Sequence, residues 1–169
     1  MRSLYTKNQI RRWPKGGTHE HFDCSIEPEF ILQRCSELGL ELPGEFATQW
    51  RMTLDNTAAQ SAVANEFQEF VASGARQSLK NYLDAIGNYV LPVLQTPEDL
   101  YSRAMSRFQR AHDDGLIWLK LRFAPQLHRL KGLTLRQVME PMVAAVHDSP
   151  IPAKLVVCAL RHENGRLGW

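Results

Sequence analysis

Two histidines separated by one residue are the strongest chemical feature of the sequence. His19 and His21 lie in the segment Thr18-His19-Glu20-His21-Phe22, whose alternating character is typical of a β-strand. Side chains two residues apart on a strand point to the same face, so both imidazoles can reach one metal ion. Neutral imidazole suits zinc and its neighbours in the transition series. The pair therefore predicts a metal site, although an H-x-H triplet also arises by chance in a chain with six histidines.

Three apolar segments separated by helical patterns would position this pair. The predicted strands cover 18–22, with an end at Asp23-Cys24, then 116–123 and 154–160. No hairpin turn joins them, so the strands should pair in parallel through right-handed crossovers. The sequence therefore predicts an α/β fold whose three strands are a fragment of a larger sheet.

Helix signals fill the intervals between these strands. Ser25 is predicted to cap the first helix, with Pro28 in its first turn and Gly39 as its stop. Thr96 and Thr134 are predicted to cap two later helices.

A further stretch, about 45–94, has a less regular helical pattern. We interpret it as a helical excursion within a single domain over 1–169 rather than as a second domain.

Charge and cysteine content restrict the classes of partner, the types of cysteine site and the cellular location that the sequence predicts. A formal net charge of +2 is too small to indicate a nucleic-acid partner. The three cysteines, Cys24, Cys35 and Cys158, are odd in number and far apart, which favours neither a disulfide framework nor a cysteine zinc site. The sequence has no apolar run of about 18 residues and no leader pattern near Met1, so we expect no membrane span and a cytoplasmic location.

An ordered set of short motifs resembles the adenosine deaminase family. Pro14-Lys15 precedes H-x-H-x-D at 19–23, and the later motifs are V-L-Q-T-P-E-D-L-Y at 93–101, L-R-F-A-P at 121–125 and C-A-L-R-H at 158–162. The resemblance runs through nearly the whole chain, and its specificity lies in the order of the motifs. It implies a (β/α)8 TIM-type barrel, of which this chain supplies about the first three parallel strands plus a helical insertion. A complete barrel of this kind needs about 250 residues.

The resemblance also implies a hydrolase that removes the 6-amino group of adenosine through a metal-activated hydroxide. The metal is usually Zn²⁺, and the partner is a small-molecule purine nucleoside. His19 and His21 match two metal ligands of the family. Asp23 matches the residue that contacts the ribose, although a turn-forming or helix-capping aspartate would fit the same position.

The catalytic residues of the family belong to later strands of the barrel. The resemblance therefore implies that the general acid and the hydroxide-orienting residues lie beyond Trp169. No catalytic residue is assigned within this chain.

An apolar lid over the nucleoside is a looser match. Tyr82, Leu83 and Ile86 fall roughly where the family has such a helix, and plain core packing of an amphipathic helix explains the trio equally well.

The remaining polar residues are given structural interpretations. Arg122 and Arg161 are predicted to tie strand ends to carboxylates, and His162 is interpreted as a hydrogen-bonded structural histidine. Three further histidines are predicted on helix or loop surfaces and receive no role: His112, His128 and His147.

Two positions depart from the family pattern, which has glycine where this chain has Cys24 and glutamate where it has Lys120. We expect little deaminase activity and weak or absent metal binding from the 169-residue chain alone. We also expect self-association through unpaired barrel strands. The alternatives are a non-catalytic truncated paralogue or partner-binding fragment, and an adenine deaminase or another amidohydrolase that uses H-x-H.

Overall fold

The computed structural model describes residues 4–160 and shows helices alternating with parallel strands. The strands are β1 (Lys15–His21), β2 (Leu116–Phe123) and β3 (Ala153–Val157). The α-helices are α1 (Lys7–Arg11), α2 (Pro28–Leu38), α3 (Phe46–Met52), α4 (Thr57–Gln77), α5 (Leu79–Ala85), α6 (Pro97–Asp113) and α7 (Leu135–Asp148). Turns of 3-10 helix cover Phe22–Cys24, Leu91–Val93 and Pro125–His128, and a π-helical turn covers Ile86–Val90.

The chain forms two compact units. One unit contains the sheet and comprises the residues up to Ser25 and those from Gln95 onward, while the other is the helical segment Ile26–Leu94. The helical unit begins earlier than the excursion predicted from about residue 45, because α2 belongs to it. The single domain over 1–169 stays a prediction.

The sheet has the order β1-β2-β3, and both pairings are parallel. The α/β prediction is therefore confirmed, and the bounds of β2 coincide with those predicted. The third strand is shorter than predicted and ends at Val157.

The bounds predicted for the first strand were wrong, because β1 begins at Lys15 and ends before Phe22. Two glycines explain the early start. A Cβ added to Gly16 would overlap the indole of Trp118, and one added to Gly17 would overlap Leu119. Their missing side chains let β1 pair closely with β2 from its first residues.

One face of the sheet is covered by helices. Leu119, Leu121 and Phe123 are buried on β2, which α6 contacts, while α7 contacts β3. Alternation places Trp118, Lys120 and Arg122 on the opposite face of β2, where Lys120 is exposed. We call this the open face, with reference to residues 4–160 only. The helices add to the core the buried residues Leu100, Ala104, Phe108, Ala111, Val138, Met142 and Ala145.

The structure confirms two of the three predicted helix caps. The Thr96 and Thr134 side chains accept hydrogen bonds from the Asp99 and Gln137 amides, as predicted. The prediction of Ser25 as a cap was wrong, because Pro28 is the first residue of α2 and Glu27 is therefore its cap. The Ser25 hydroxyl instead donates to the carbonyl of Phe22 over 2.8 Å.

The helical unit has its own core, to which Leu32, Cys35, Trp50 and Phe67 contribute. Burial raises the pKa of the Cys35 thiol to about 11. Among the helices that the structure describes, none combines the length and apolar character needed to cross a bilayer.

Candidate metal and ligand site

The two histidines of β1 come together at the carboxyl end of the strand. Their Nε2 atoms lie 3.1 Å apart, and their ring centroids are 5.2 Å apart. Two nitrogen ligands of a tetrahedral zinc ion, each about 2.0–2.1 Å from the metal, are separated by about 3.3 Å. Both rings are exposed. The spacing and the chemistry of His19 and His21 therefore fit two positions of a zinc site.

A β-bulge places both rings on the open face. Gly17 pairs with Leu119 and Glu20 pairs with Leu121, so three steps along β1 correspond to two along β2. Regular alternation from Gly17, which lies on the helix side, would turn His19 toward the helices. The extra residue reverses this phase, and His19 and His21 face away from the helices.

A positively charged side chain, Arg122, lies beside the pair. His21 pairs in register with Arg122 of β2. Desolvation, followed by the charges of Arg122 and His21, lowers the pKa of His19 below its usual value. The shift favours the neutral imidazole, which is the form that binds metals.

Asp23 lies directly after the strand and contacts a buried histidine. Its Oδ1 is 3.0 Å from Nε2 of His128, and the side chains of Asp23 and His128 are 12% and 0% exposed. The prediction of His128 at a surface was wrong. The 3-10 turn after β2 folds its ring inward, where it stacks on Phe123 with centroids 5.1 Å apart.

A buried amide holds the loop that carries His128. The Gln95 side chain is 3% exposed, donates to the carbonyl of Leu127 over 3.0 Å and accepts from the amide of Leu130 over 2.8 Å. Neither Gln95 nor His128 was predicted as a site residue from the sequence. The position of His128 just beyond the carboxyl end of a strand is the signal that could have identified it.

Replacing His128 with alanine is expected to lower the free energy of unfolding by about 2–3 kcal/mol. The change removes a fully buried ring and leaves Asp23 without its neighbour. Urea denaturation measures the effect. His147→Ala is the matched control, because His147 also lies 3.1 Å from an aspartate but its side chain is 88% exposed. We expect the control to change stability by less than about 0.5 kcal/mol, and equal losses in the two variants would contradict a special role for the buried pair.

Comparison with known proteins places these observations in a family. Residues 14–167 match the model of the adenosine deaminase family. The chain belongs to the adenosine deaminase family. This confirms the family predicted from the ordered motifs.

Members of the adenosine deaminase family align with almost all of the chain. It is 30% identical to the adenosine deaminase of Mycobacterium ulcerans, an alignment that covers 96% of the chain and 43% of that protein. It is 32% identical to a probable adenosine deaminase of Dictyostelium discoideum, with 93% of the chain and 19% of that protein covered. The chain therefore spans less than half the length of these relatives.

Solved structures support the fold. An adenine deaminase from Arthrobacter aurescens superposes with a TM-score of 0.59 at 21% identity, covering 85% of the chain and 38% of that structure. An amidohydrolase from Burkhoderia ambifaria with bound Zn gives a TM-score of 0.59 at 18% identity, covering 93% and 38% respectively. The predicted fold class, part of a (β/α)8 barrel, is confirmed.

The lid residues predicted for this adenosine deaminase family member lie in the helical unit. Tyr82 is partly buried, Leu83 is 56% exposed, and Ile86 is buried at 9%. Leu83 and Ile86 therefore do not share one environment, and Ile86 is part of a core. The substrate-binding role of this trio stays a prediction.

The departures from the adenosine deaminase family pattern are accommodated locally. Cys24 is exposed and does not have a positive φ, so its side chain fits without backbone strain. The Lys120 ammonium lies 5.6 Å from the ring centroid of Trp118, a cation–π distance.

The roles predicted for the arginines and for His162 have mixed outcomes. Arg122 forms no ion pair with a carboxylate of residues 4–160, and its Nε lacks a hydrogen-bond partner there. The predicted tie of Arg122 to a carboxylate is therefore not found in this range. Arg161 and His162 lie outside the described residues.

The catalytic residues implied by the adenosine deaminase family are not tested by the structure. The general acid and the hydroxide-orienting residues are expected beyond Trp169, and Trp169 itself lies outside the described residues. Within the described part of the chain, no group of three or more histidine, cysteine and acidic side chains is arranged to hold a metal. The assignment of catalytic residues to positions beyond Trp169 therefore stays a prediction.

Proposed function

We propose that this chain provides the first metal ligands and a ribose contact of a zinc-dependent deaminase that converts adenosine and water to a 6-oxopurine nucleoside and ammonia. The observation that carries the proposal is the 3.1 Å approach of the His19 and His21 Nε2 atoms at the carboxyl end of β1. Membership of the adenosine deaminase family supports the reaction class. Because the chain spans 43% of the mycobacterial relative, the activity belongs to a longer assembly of barrel strands.

The histidine pair has a defined task in this proposal. A zinc ion held there would supply the activation of water that hydrolytic deamination requires. His19 and His21 would hold the ion through their Nε2 atoms on the open face, and the lowered pKa of His19 favours its neutral ring.

Asp23 orients the substrate in this proposal. Oδ1 of Asp23 lies 3.0 Å from Nε2 of His128, which supports a defined position for the carboxylate, and this carboxylate is proposed to accept a hydrogen bond from a ribose hydroxyl. A hydrogen bond from the ribose to Asp23 favours adenosine over adenine as the substrate, because adenine has no ribose. Tyr82, Leu83 and Ile86 are proposed as apolar contacts to the nucleoside.

The cysteine content supports a cytoplasmic location.

A chimaeric protein tests the reaction. Residues 1–160 of the chain would replace the matched segment of the Mycobacterium ulcerans adenosine deaminase, whose remaining sequence supplies the other barrel strands. We expect zinc-dependent release of ammonia from adenosine, little from adenine or adenosine monophosphate, and a loss of at least about 100-fold in the His19→Ala chimaera. The 169-residue chain alone, assayed in parallel, is expected to release little ammonia.

The assay also separates the alternatives. A folded, zinc-loaded chimaera that leaves all three purines unchanged would support a non-catalytic, partner-binding role. A preference for adenine would reassign the substrate.

Light scattering on the chain alone tests the proposed self-association: oligomers are expected, and a monodisperse monomer would contradict it.

A further inference from the structure

A glutamate stands between the two histidines and faces the other way. The Glu20 carboxylate receives two hydrogen bonds from Arg107 of α6, one from Nε over 2.5 Å and one from Nη2 over 2.6 Å. The two side chains are only 29% and 12% exposed, respectively. A bidentate pair of this kind fixes direction as well as distance, because two parallel hydrogen bonds hold the guanidinium and carboxylate planes together.

The β-bulge between Gly17 and Glu20 changes which face of the sheet each later side chain of β1 occupies. Before the bulge, the contacts of Gly16 with Trp118 and of Gly17 with Leu119 fix which side of β1 faces the helices. After the bulge, other contacts must fix which side of β1 faces the helices, because a shift of one residue moves every side chain to the opposite face. The ion pair connects β1 to α6 at the second residue of this new phase.

We propose that the Glu20–Arg107 pair is a positioning device for the histidine pair. By holding the Glu20 side chain on the helix side, it keeps the flanking His19 and His21 rings on the open face at ligand spacing. The role in metal binding rests on the zinc site proposed above, whereas the effect on ring orientation can be measured without metal.

Zinc titration of the complete 169-residue chain provides the test. With the histidines labelled with nitrogen-15, ring shifts report zinc binding, and ring-proton contacts between His19 and His21 report their spacing in the metal-free chain. We expect Glu20→Gln to weaken zinc binding by about tenfold, within the range for residues that orient ligands. The metal-free contacts between the rings should weaken as well. Arg107→Lys keeps the charge but not the fork, so it should give a smaller loss.

The exchanged pair, Glu20→Arg with Arg107→Glu, should restore both readouts, which a general loss of stability would not predict. Glu37→Gln is the matched control, because it breaks a hydrogen-bonded ion pair with Arg34 within α2, which belongs to the helical unit. It should leave zinc binding and ring contacts unchanged.

The outcomes distinguish this inference from the proposed metal site. Unchanged ring contacts and zinc affinity in a folded Glu20→Gln chain would overturn the positioning role. If the unmodified chain does not bind zinc, the metal site fails, and the metal-free ring contacts still decide whether Glu20 positions the rings. If Glu20→Gln does not fold, the exchanged pair and Arg107→Lys give the answer.

Discussion

Replacing either His19 or His21 with alanine is expected to remove the weak zinc binding that two histidine ligands can give this chain alone. Each variant leaves one imidazole where two now approach within 3.1 Å, so the chelate is lost. The loss should exceed the range of about 10–100-fold that follows removal of a supporting residue. Titration of the chain with zinc at up to millimolar concentrations, followed through the histidine ring signals, measures the effect.

His112→Ala is the control for this measurement. His112 is an exposed histidine beside an aspartate, with 3.4 Å between its Nδ1 and Asp113 Oδ1, and it lies at the end of α6 rather than on β1. We expect it to bind no less zinc than the unmodified chain. If His112→Ala reduced binding as much as His19→Ala, zinc would be associating with surface histidines, and the β1 site would be wrong.

Local signals predicted much of the fold. The bounds of β2 follow from an apolar run between Gly115 and Pro125, and the starts of α6 and α7 follow from Thr96 and Thr134. These features depend on neighbours within a few residues, so a sequence without a structure is enough to find them. The start of α2 also depends on local signals, but Pro28 is its first residue, so the cap is Glu27 and not Ser25.

The supports of the site were not predictable in the same way. Asp23 contacts His128, and Glu20 binds Arg107, although each pair is distant in sequence. The position of His128 just after the end of β2 could have marked it as a site residue, but its burial depends on the turn after β2 and could not be predicted from the sequence. The H-x-H triplet could be found, but the bulge that turns His19 to the open face could not.

The bulge changes how the triplet should be understood. On an unbroken strand, alternation from Gly17 would direct His19 and His21 toward the helices, where an ion would have no access. Their exposure therefore depends on an irregularity in the backbone and on the contacts at each side of it. A histidine pair of this kind predicts a metal site only when the phase of the strand is known.

Replacing Gly115 with valine is expected to be the most destabilising single change considered for the fold, costing about 2–6 kcal/mol of the free energy of unfolding. Gly115 has a φ of 80°, a conformation that costs a β-branched residue about 1–3 kcal/mol. An added Cβ would also overlap the carbonyl oxygen of Arg11, which is backbone and cannot rotate away, and would lie 3.2 Å from that of Trp13. Overpacking of this kind adds about 1–3 kcal/mol.

Gly132→Val separates the two contributions. Gly132 has a φ of 88°, but among residues 4–160 no heavy atom beyond Gly132 and its two chain neighbours lies within 4 Å of an added Cβ. The control should therefore lose only the conformational part, about 1–3 kcal/mol, in the same urea denaturation. The position of Gly115 explains the difference: its amide donates to the carbonyl of His112 at the end of α6, and its carbonyl accepts from the amide of Lys15 at the start of β1. Moving this backbone to relieve the overlap would disturb the junction from which β1 and β2 both begin, so equal losses at Gly115 and Gly132 would mean that the junction is less tightly packed than the structure indicates.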